Sequence, residues 1–186
     1  MTNREFWKLI DRSKKKEDQA EWLTDVLIEK GESEILSFEY HFQSLMNESY
    51  KSSLWAAAYI TMGGCSDDSF DYFRGWLISR GEKVYNKTME NHEYLAKYIK
   101  ERNLNEEEVP EYEEMLEVGF EAYSLLKTGD TDWDDELHDA FLESLAQMGI
   151  QQQPEIELDW DEEDDDELAG MFPKLWKRFG EEPLGY

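Results

Sequence analysis

Residues 52–81 read SSLWAAAYITMGGCSDDSFDYFRGWLISRG, and this stretch decides the fold class. Its first part, Ser52 to Met62, is apolar almost all round, the pattern of a helix buried on every side. Gly63 and Gly64 end it, and Ser66 can cap a second helix, in which Phe70, Phe73 and Leu77 recur at helical spacing up to Gly81. So short a connection predicts a tight helical hairpin, with the helix near 66–80 central to the molecule.

The same period continues on both sides. Phe6, Trp7, Leu9 and Ile10 form one stripe behind a cap at Thr2 or Asn3. Asp18 and Glu21 stand in capping-box spacing ahead of an inward face of Trp22, Leu23, Val26 and Leu27, which closes on Gly31. Ile35, Phe38, Phe42, Leu45 and Met46 make the next face. Residues 82–103 hold one or two short helices. A longer helix is expected from near Pro110, with Met115, Leu116, Phe120, Tyr123 and Leu126 inward. Another carries the stripe Trp133, Leu137, Phe141, Leu145 and Met148. No stretch of useful length alternates as a strand would. The expectation is an all-α protein, an irregular multi-helix bundle of about seven to nine helices. Residues 1–150 would form a single helical domain, and 151–186 an acidic connector with a C-terminal helical segment docked on it through Trp176.

Composition narrows the function. The 186 residues carry 45 acids against 19 bases, a net charge of −26, which repels nucleic acid and anionic membrane surfaces and attracts basic partners. From Asp130 to Glu167 there are seventeen acids and no lysine or arginine. One cysteine allows no internal disulfide and fits a reducing compartment, and no run is apolar enough for a signal peptide or membrane span. The chain therefore reads as cytoplasmic, with no membrane partner and no direct nucleic-acid binding.

Phosphate-loop chemistry fails on spacing: Gly63-Gly64 has neither the G-x-x-x-x-G-K-[ST] nor the G-x-G-x-x-G arrangement, and Asp67 and Asp68 stand where an anion would dock. Cys65 lies just before a helix N-terminus, which favours a thiolate, but the two aspartates oppose one; it is either a reactive thiol or a small buried turn residue. Arg74 shares a helix sector with Phe70, Phe73 and Leu77. There it must be ion-paired, with Asp67 or Asp71 in reach, or line a pocket for an anionic group. His41 at the edge of its apolar face, with Cys65, Ser66, Asp67, Asp68, Arg74 and Trp76, defines that candidate pocket. No H-E-x-x-H or E-x-x-H pattern supplies a metal site, the acidic run lacks the glycine of a calcium loop, and no catalytic residue or cofactor is indicated. The run Asp159, Asp161, Glu162, Glu163, Asp164, Asp165 and Asp166 is either a solvated helix start or a partner surface.

The ordered series FEYHF, LWAAAYI, GGCSDDSFDYFRGWLISRG and WDEEDDDELAGMFPKLWKRF resembles an uncharacterised bacterial family, a domain of unknown function numbered four-two-four-zero, most clearly over residues 6–85. The resemblance implies no activity. It marks His41, Trp55, Gly63, Gly64, Cys65, Ser66, Asp67, Asp68, Phe70, Phe73, Arg74, Trp76 and Leu77 as motif positions, and it implies that the tail packs back on the helical body. The functional expectation is a non-enzymatic acidic protein that neutralises or regulates a basic protein partner, as an immunity or antitoxin-like inhibitor or a nucleic-acid mimic would. The alternative is an enzyme or small-ligand binder built around His41, Asp67, Asp68 and Arg74.

Overall fold

Side-chain caps set where five of the helices begin. In the computed structural model, which describes residues 1–104 and 108–185, Thr2 and Glu5 close a reciprocal capping box on α1 (Asn3–Ser13). Asp18, Ser66, Asp134 and Asp164 each accept a backbone N–H at the start of α2 (Gln19–Lys30), α5 (Asp67–Ser79), α9 (Asp135–Gln147) and α10 (Asp165–Met171). The remaining helices are α3 (Glu32–Ser49), α4 (Ser52–Met62), α6 (Glu82–Glu90), α7 (Leu95–Tyr98), α8 (Glu114–Thr128) and α11 (Pro173–Leu175). The last of these runs into a π-helical turn at Trp176–Gly180. Tyr186, the end of the expected 151–186 segment, lies outside the described residues.

The protein is all-helical, with no strand among the described residues, and it has eleven α-helices there rather than seven to nine. The difference comes from pieces such as α7 and α11. These span about one turn or less, too short for a period of 3.6 residues to register.

α4 ends at Gly63, whose φ of 78° places it in the left-handed region that suits glycine. α5 packs against α1, α3, α4, α6 and α8, and its Phe70, Phe73, Trp76 and Leu77 are buried. Trp55 stacks on Phe70 at 4.6 Å, and the ring contacts continue through Phe73 to Trp76. α2 lies along α8 and beside α3. The C-terminal segment lies on α4 and residues 92–98: Leu168, Leu175 and Phe179 are buried, and Trp160 donates its indole N–H to the Ser52 carbonyl at 3.0 Å. Under the same segment, His92 and the Ser53 hydroxyl are 3.0 Å apart, and Phe172 lies against the imidazole.

Several inward faces are turned from their expected positions. α8 starts at Glu114, not near Pro110, and buries Met115, Val118, Ala122 and Tyr123, which leaves Leu126 exposed. In the Trp133–Met148 stripe only Phe141 and Leu145 are buried; Leu137 is partly buried, and Trp133 stays exposed although its ring lies against Phe120 of α8. On α2, Thr24 and Ala20 replace Trp22 and Val26 on the buried face; the half-exposed Trp22 ring instead lies under Arg12 and Lys16.

Candidate functional site

Arg74 is fully buried, and each of its three nitrogens donates a hydrogen bond inside the protein. Nη1 donates to the Met46 carbonyl at 2.6 Å, Nε to the Phe70 carbonyl at 3.3 Å, and Nη2 to the Asp71 carboxylate. The rings of Tyr50 and Phe70 cover the guanidinium at 4.7 and 4.9 Å. Burial lowers its pKa and the Asp71 carboxylate works against that. This arginine fastens the C-terminal end of α3 to α5. Its carboxylate partner is Asp71, while Asp67 and Asp68 are exposed in the first turn of the helix.

The other expected residues are divided among different places. Ser66 accepts from the Ser69 backbone N–H at 3.2 Å as the cap of α5. Cys65 is partly buried beside it; desolvation and then the Glu111 carboxylate push its thiol well above the ordinary range, with only Arg74 pulling it down. A thiol so placed is a poor nucleophile. His41 stands apart on α3, 3.1 Å from the Met1 carbonyl and against the Phe6 and Tyr40 rings. Trp76 is buried, donates to the Asn103 carbonyl at 2.7 Å, and contributes to the floor of a separate cleft.

That cleft, about 680 Å³, was not indicated by any sequence motif. It opens between the 14–19 turn, the C-terminal half of α5 and residues 103–104 and 111–114. Arg80 is half-buried in it, at the C-terminal end of α5, and no described carboxylate is within ion-pair distance. Burial lowers the Arg80 pKa, opposed by Tyr98 and Tyr112. From sequence, Arg80 reads only as a cation beside a helix-ending glycine, a common and uninformative position. Neither this cleft nor a smaller one of about 200 Å³ beside Met1 and Leu9 is lined by His41, Cys65, Ser66, Asp67, Asp68 or Arg74.

The acidic surface is open. Asp159, Asp161, Glu162, Glu163, Asp164, Asp165 and Asp166 are all exposed. Asp159 pairs with the Ser52 hydroxyl, and Asp161 and Asp164 accept the backbone N–H groups of Glu163 and Glu167 at 2.9 Å. Large apolar side chains stand exposed nearby in sequence: Trp133 at 63%, Leu142 at 48%, Met148 at 42% and Leu158 at 49%. Among the described residues no cluster of three or more His, Cys, Asp or Glu side chains is arranged to hold a metal ion. No helix there is long and apolar enough to cross a membrane.

A family model described as a protein of unknown function (DUF4240) matches residues 1–125. No curated protein and no solved structure matches the chain. The cleft lies within the matched residues, and Asp130–Glu167 lies beyond them.

Proposed function

Since the chain belongs to the DUF4240 family of proteins of unknown function, whose match ends before Asp130, we propose that its acidic segment is a binding surface for a basic protein partner. The protein then acts as a non-enzymatic cytoplasmic binder that neutralises or regulates that partner, in the manner of an immunity protein, an antitoxin-like inhibitor or a nucleic-acid mimic. One observation carries the reading. Of the five large hydrophobic side chains exposed among the described residues, four (Trp133, Leu142, Met148 and Leu158) fall in the segment that has no lysine or arginine. A surface evolved only for solubility would pair its acids with bases and hide its tryptophan. Exposed apolar anchors set among unneutralised carboxylates match a partner presenting lysines and arginines around an apolar stripe. The whole-chain field would steer such a partner inward at a rate that falls with salt.

The test uses a defined probe, an amphipathic helical peptide rich in lysine and arginine, titrated calorimetrically at low and high salt. Binding at low salt that weakens by about tenfold in the neutral double variant Trp133→Ser, Leu142→Ser supports the reading. No binding at low salt, or binding unaffected by the double substitution, overturns it.

A further inference from the structure

Three cations line the large cleft, and two of them are already committed. Lys14 Nζ pairs with Asp11 at 2.5 Å and donates to the Arg80 carbonyl at 3.1 Å, and Lys16 lies over the Trp22 ring at 4.9 Å. The third is the Arg80 guanidinium, which is held in place without being neutralised. Its Nε donates to the Ser79 hydroxyl at 2.9 Å and its Nη2 to the Gln19 side-chain oxygen at 3.0 Å. Gln19 is buried and cannot turn: its amide nitrogen donates both to the Ser13 hydroxyl at 2.9 Å and to the Ser79 carbonyl at 3.0 Å. The only orientation that satisfies both donors presents oxygen to Arg80. Nη1 meets no acceptor among the described residues, which leaves one edge of the guanidinium for a ligand.

The cleft also carries the other sign: Glu17 and Asp18 line it on the 14–19 turn, and Glu111, Glu113 and Glu114 line it from residues 111–114, where Glu113 is itself positioned by the Tyr72 hydroxyl, which donates to it at 3.0 Å. The Tyr112 hydroxyl, accepting from the Ala20 backbone N–H at 3.1 Å, ties this segment to the start of α2. A ligand that is purely anionic would meet these carboxylates and the field of a chain carrying −26. A purely cationic one would have to seat against Arg80, with Lys14 and Lys16 at the rim. Only a molecule of both signs satisfies both sets of charges, and the cleft volume lies within the range of about 300–1,000 Å³ common to small-ligand sites.

We propose that this cleft binds a small amphoteric molecule of the amino-acid class, its carboxylate on Arg80 and its ammonium group toward Glu113 and Glu114. The guanidinium fork suits a carboxylate, and its prior fixation by Gln19 removes part of the ordering cost of binding. The site is independent of the acidic partner surface and lies wholly in the family-matched residues.

The test is calorimetric titration of the full chain with L-lysine, with cadaverine, which is lysine without its carboxylate, and with succinate, which has no ammonium. Saturable binding of L-lysine is expected, with cadaverine and succinate weaker by about tenfold or more. Arg80→Gln should weaken L-lysine by at least about tenfold and leave cadaverine unchanged, and Glu113→Gln should weaken both amines. In wild-type protein labelled on arginine, the Arg80 Nε–H resonance should move with L-lysine and stay in place with cadaverine, a readout that stands even where a variant does not fold. No binding of L-lysine, an Arg80 resonance that ignores it, or undiminished binding by a folded Arg80→Gln protein overturns the proposal.

Discussion

Buried charge is handled in two opposite ways, by Arg74 and Glu39. Removing the Arg74 fork takes from Asp71 its ion-pair partner and leaves the Met46 carbonyl with only the Ser49 hydroxyl inside the α3–α5 junction. Arg74→Met should cost about 2–3 kcal/mol in urea unfolding, and Arg74→Lys, which keeps charge but loses the planar fork, should recover less than half of that. Glu39 is buried on α3 with one oxygen accepting from Gln43 at 2.8 Å and the other without any partner. That second oxygen is seated where a Cβ on Gly119 of α8 would lie, 2.0 Å away. Burial raises the Glu39 pKa from 4.5 to about 7, with Glu117 adding to the rise and the Gln43 hydrogen bond opposing it. A raised carboxyl pKa stabilises the fold below its unfolded value, and that contribution is lost as pH rises through the folded value. Glu39→Gln should therefore match the wild type near pH 4.5 and exceed its stability by about 3 kcal/mol above pH 7, as read by denaturant midpoints at each pH. Arg74 was legible in the sequence because a cation among Phe70, Phe73 and Leu77 breaks a clear stripe. Glu39 was not, since on a helix rich in Glu a single inward carboxylate looks like its exposed neighbours, and only the missing side chain at Gly119 makes room for it.

At the scale of elements, the crossing of α5 over α8 is set by a close approach at Gly75. A Cβ there would meet Leu116 Cδ1 at 2.6 Å and the Tyr112 carbonyl oxygen at 3.1 Å. The leucine can swing aside, but the carbonyl belongs to the backbone that forms one wall of the cleft. Gly75→Ala should lower stability by about 1–3 kcal/mol and lower the melting temperature, an overpacking effect that Leu116→Ala in the same chain should partly relieve. Helix existence was legible wherever caps and a repeated apolar face coincided, as at Ser66–Gly81. Helix facing was less so. The α9 stripe from Trp133 to Met148 has the right spacing, yet a stripe shows only which residues share a side, and of its residues only Phe141 and Leu145 are fully buried. The cleft was illegible for a similar reason: Gln19, Tyr72, Arg80 and Glu113 come from three separate segments with no common spacing.

For the whole molecule, the charge of −26 and the buried Glu39 both make acidification stabilising, and salt separates them. Repulsion among exposed carboxylates is screened once the Debye length drops to a few ångström, roughly 3 Å near 1 M salt, whereas desolvation of a buried carboxyl is not. The stability gained as pH falls from about 7 to 4.5 should then shrink with added salt to a remainder owed mainly to Glu39, and Glu39→Gln should remove most of that remainder. Glu121 shifts in the same direction through burial and neighbouring acids, and contributes with the same sign. Glu5 and Glu93 have the opposite sign. Backbone N–H groups of Thr2 and Lys174 hold their carboxyls low, so their stabilisation is lost only as pH falls below the ordinary carboxyl range, outside this window. The salt-sensitive part has a local reporter in Tyr59, whose pKa is raised by burial and then by Glu162, Asp165 and Glu163. Replacing these three acids with Gln or Asn leaves the capping carboxylates Asp161 and Asp164 in place. The variant should titrate Tyr59 closer to its ordinary value by ultraviolet absorbance and should gain less stability from added salt than the wild type. A Tyr59 titration that ignores the substitution would mean that Glu162, Glu163 and Asp165 exert no field on α4 in solution.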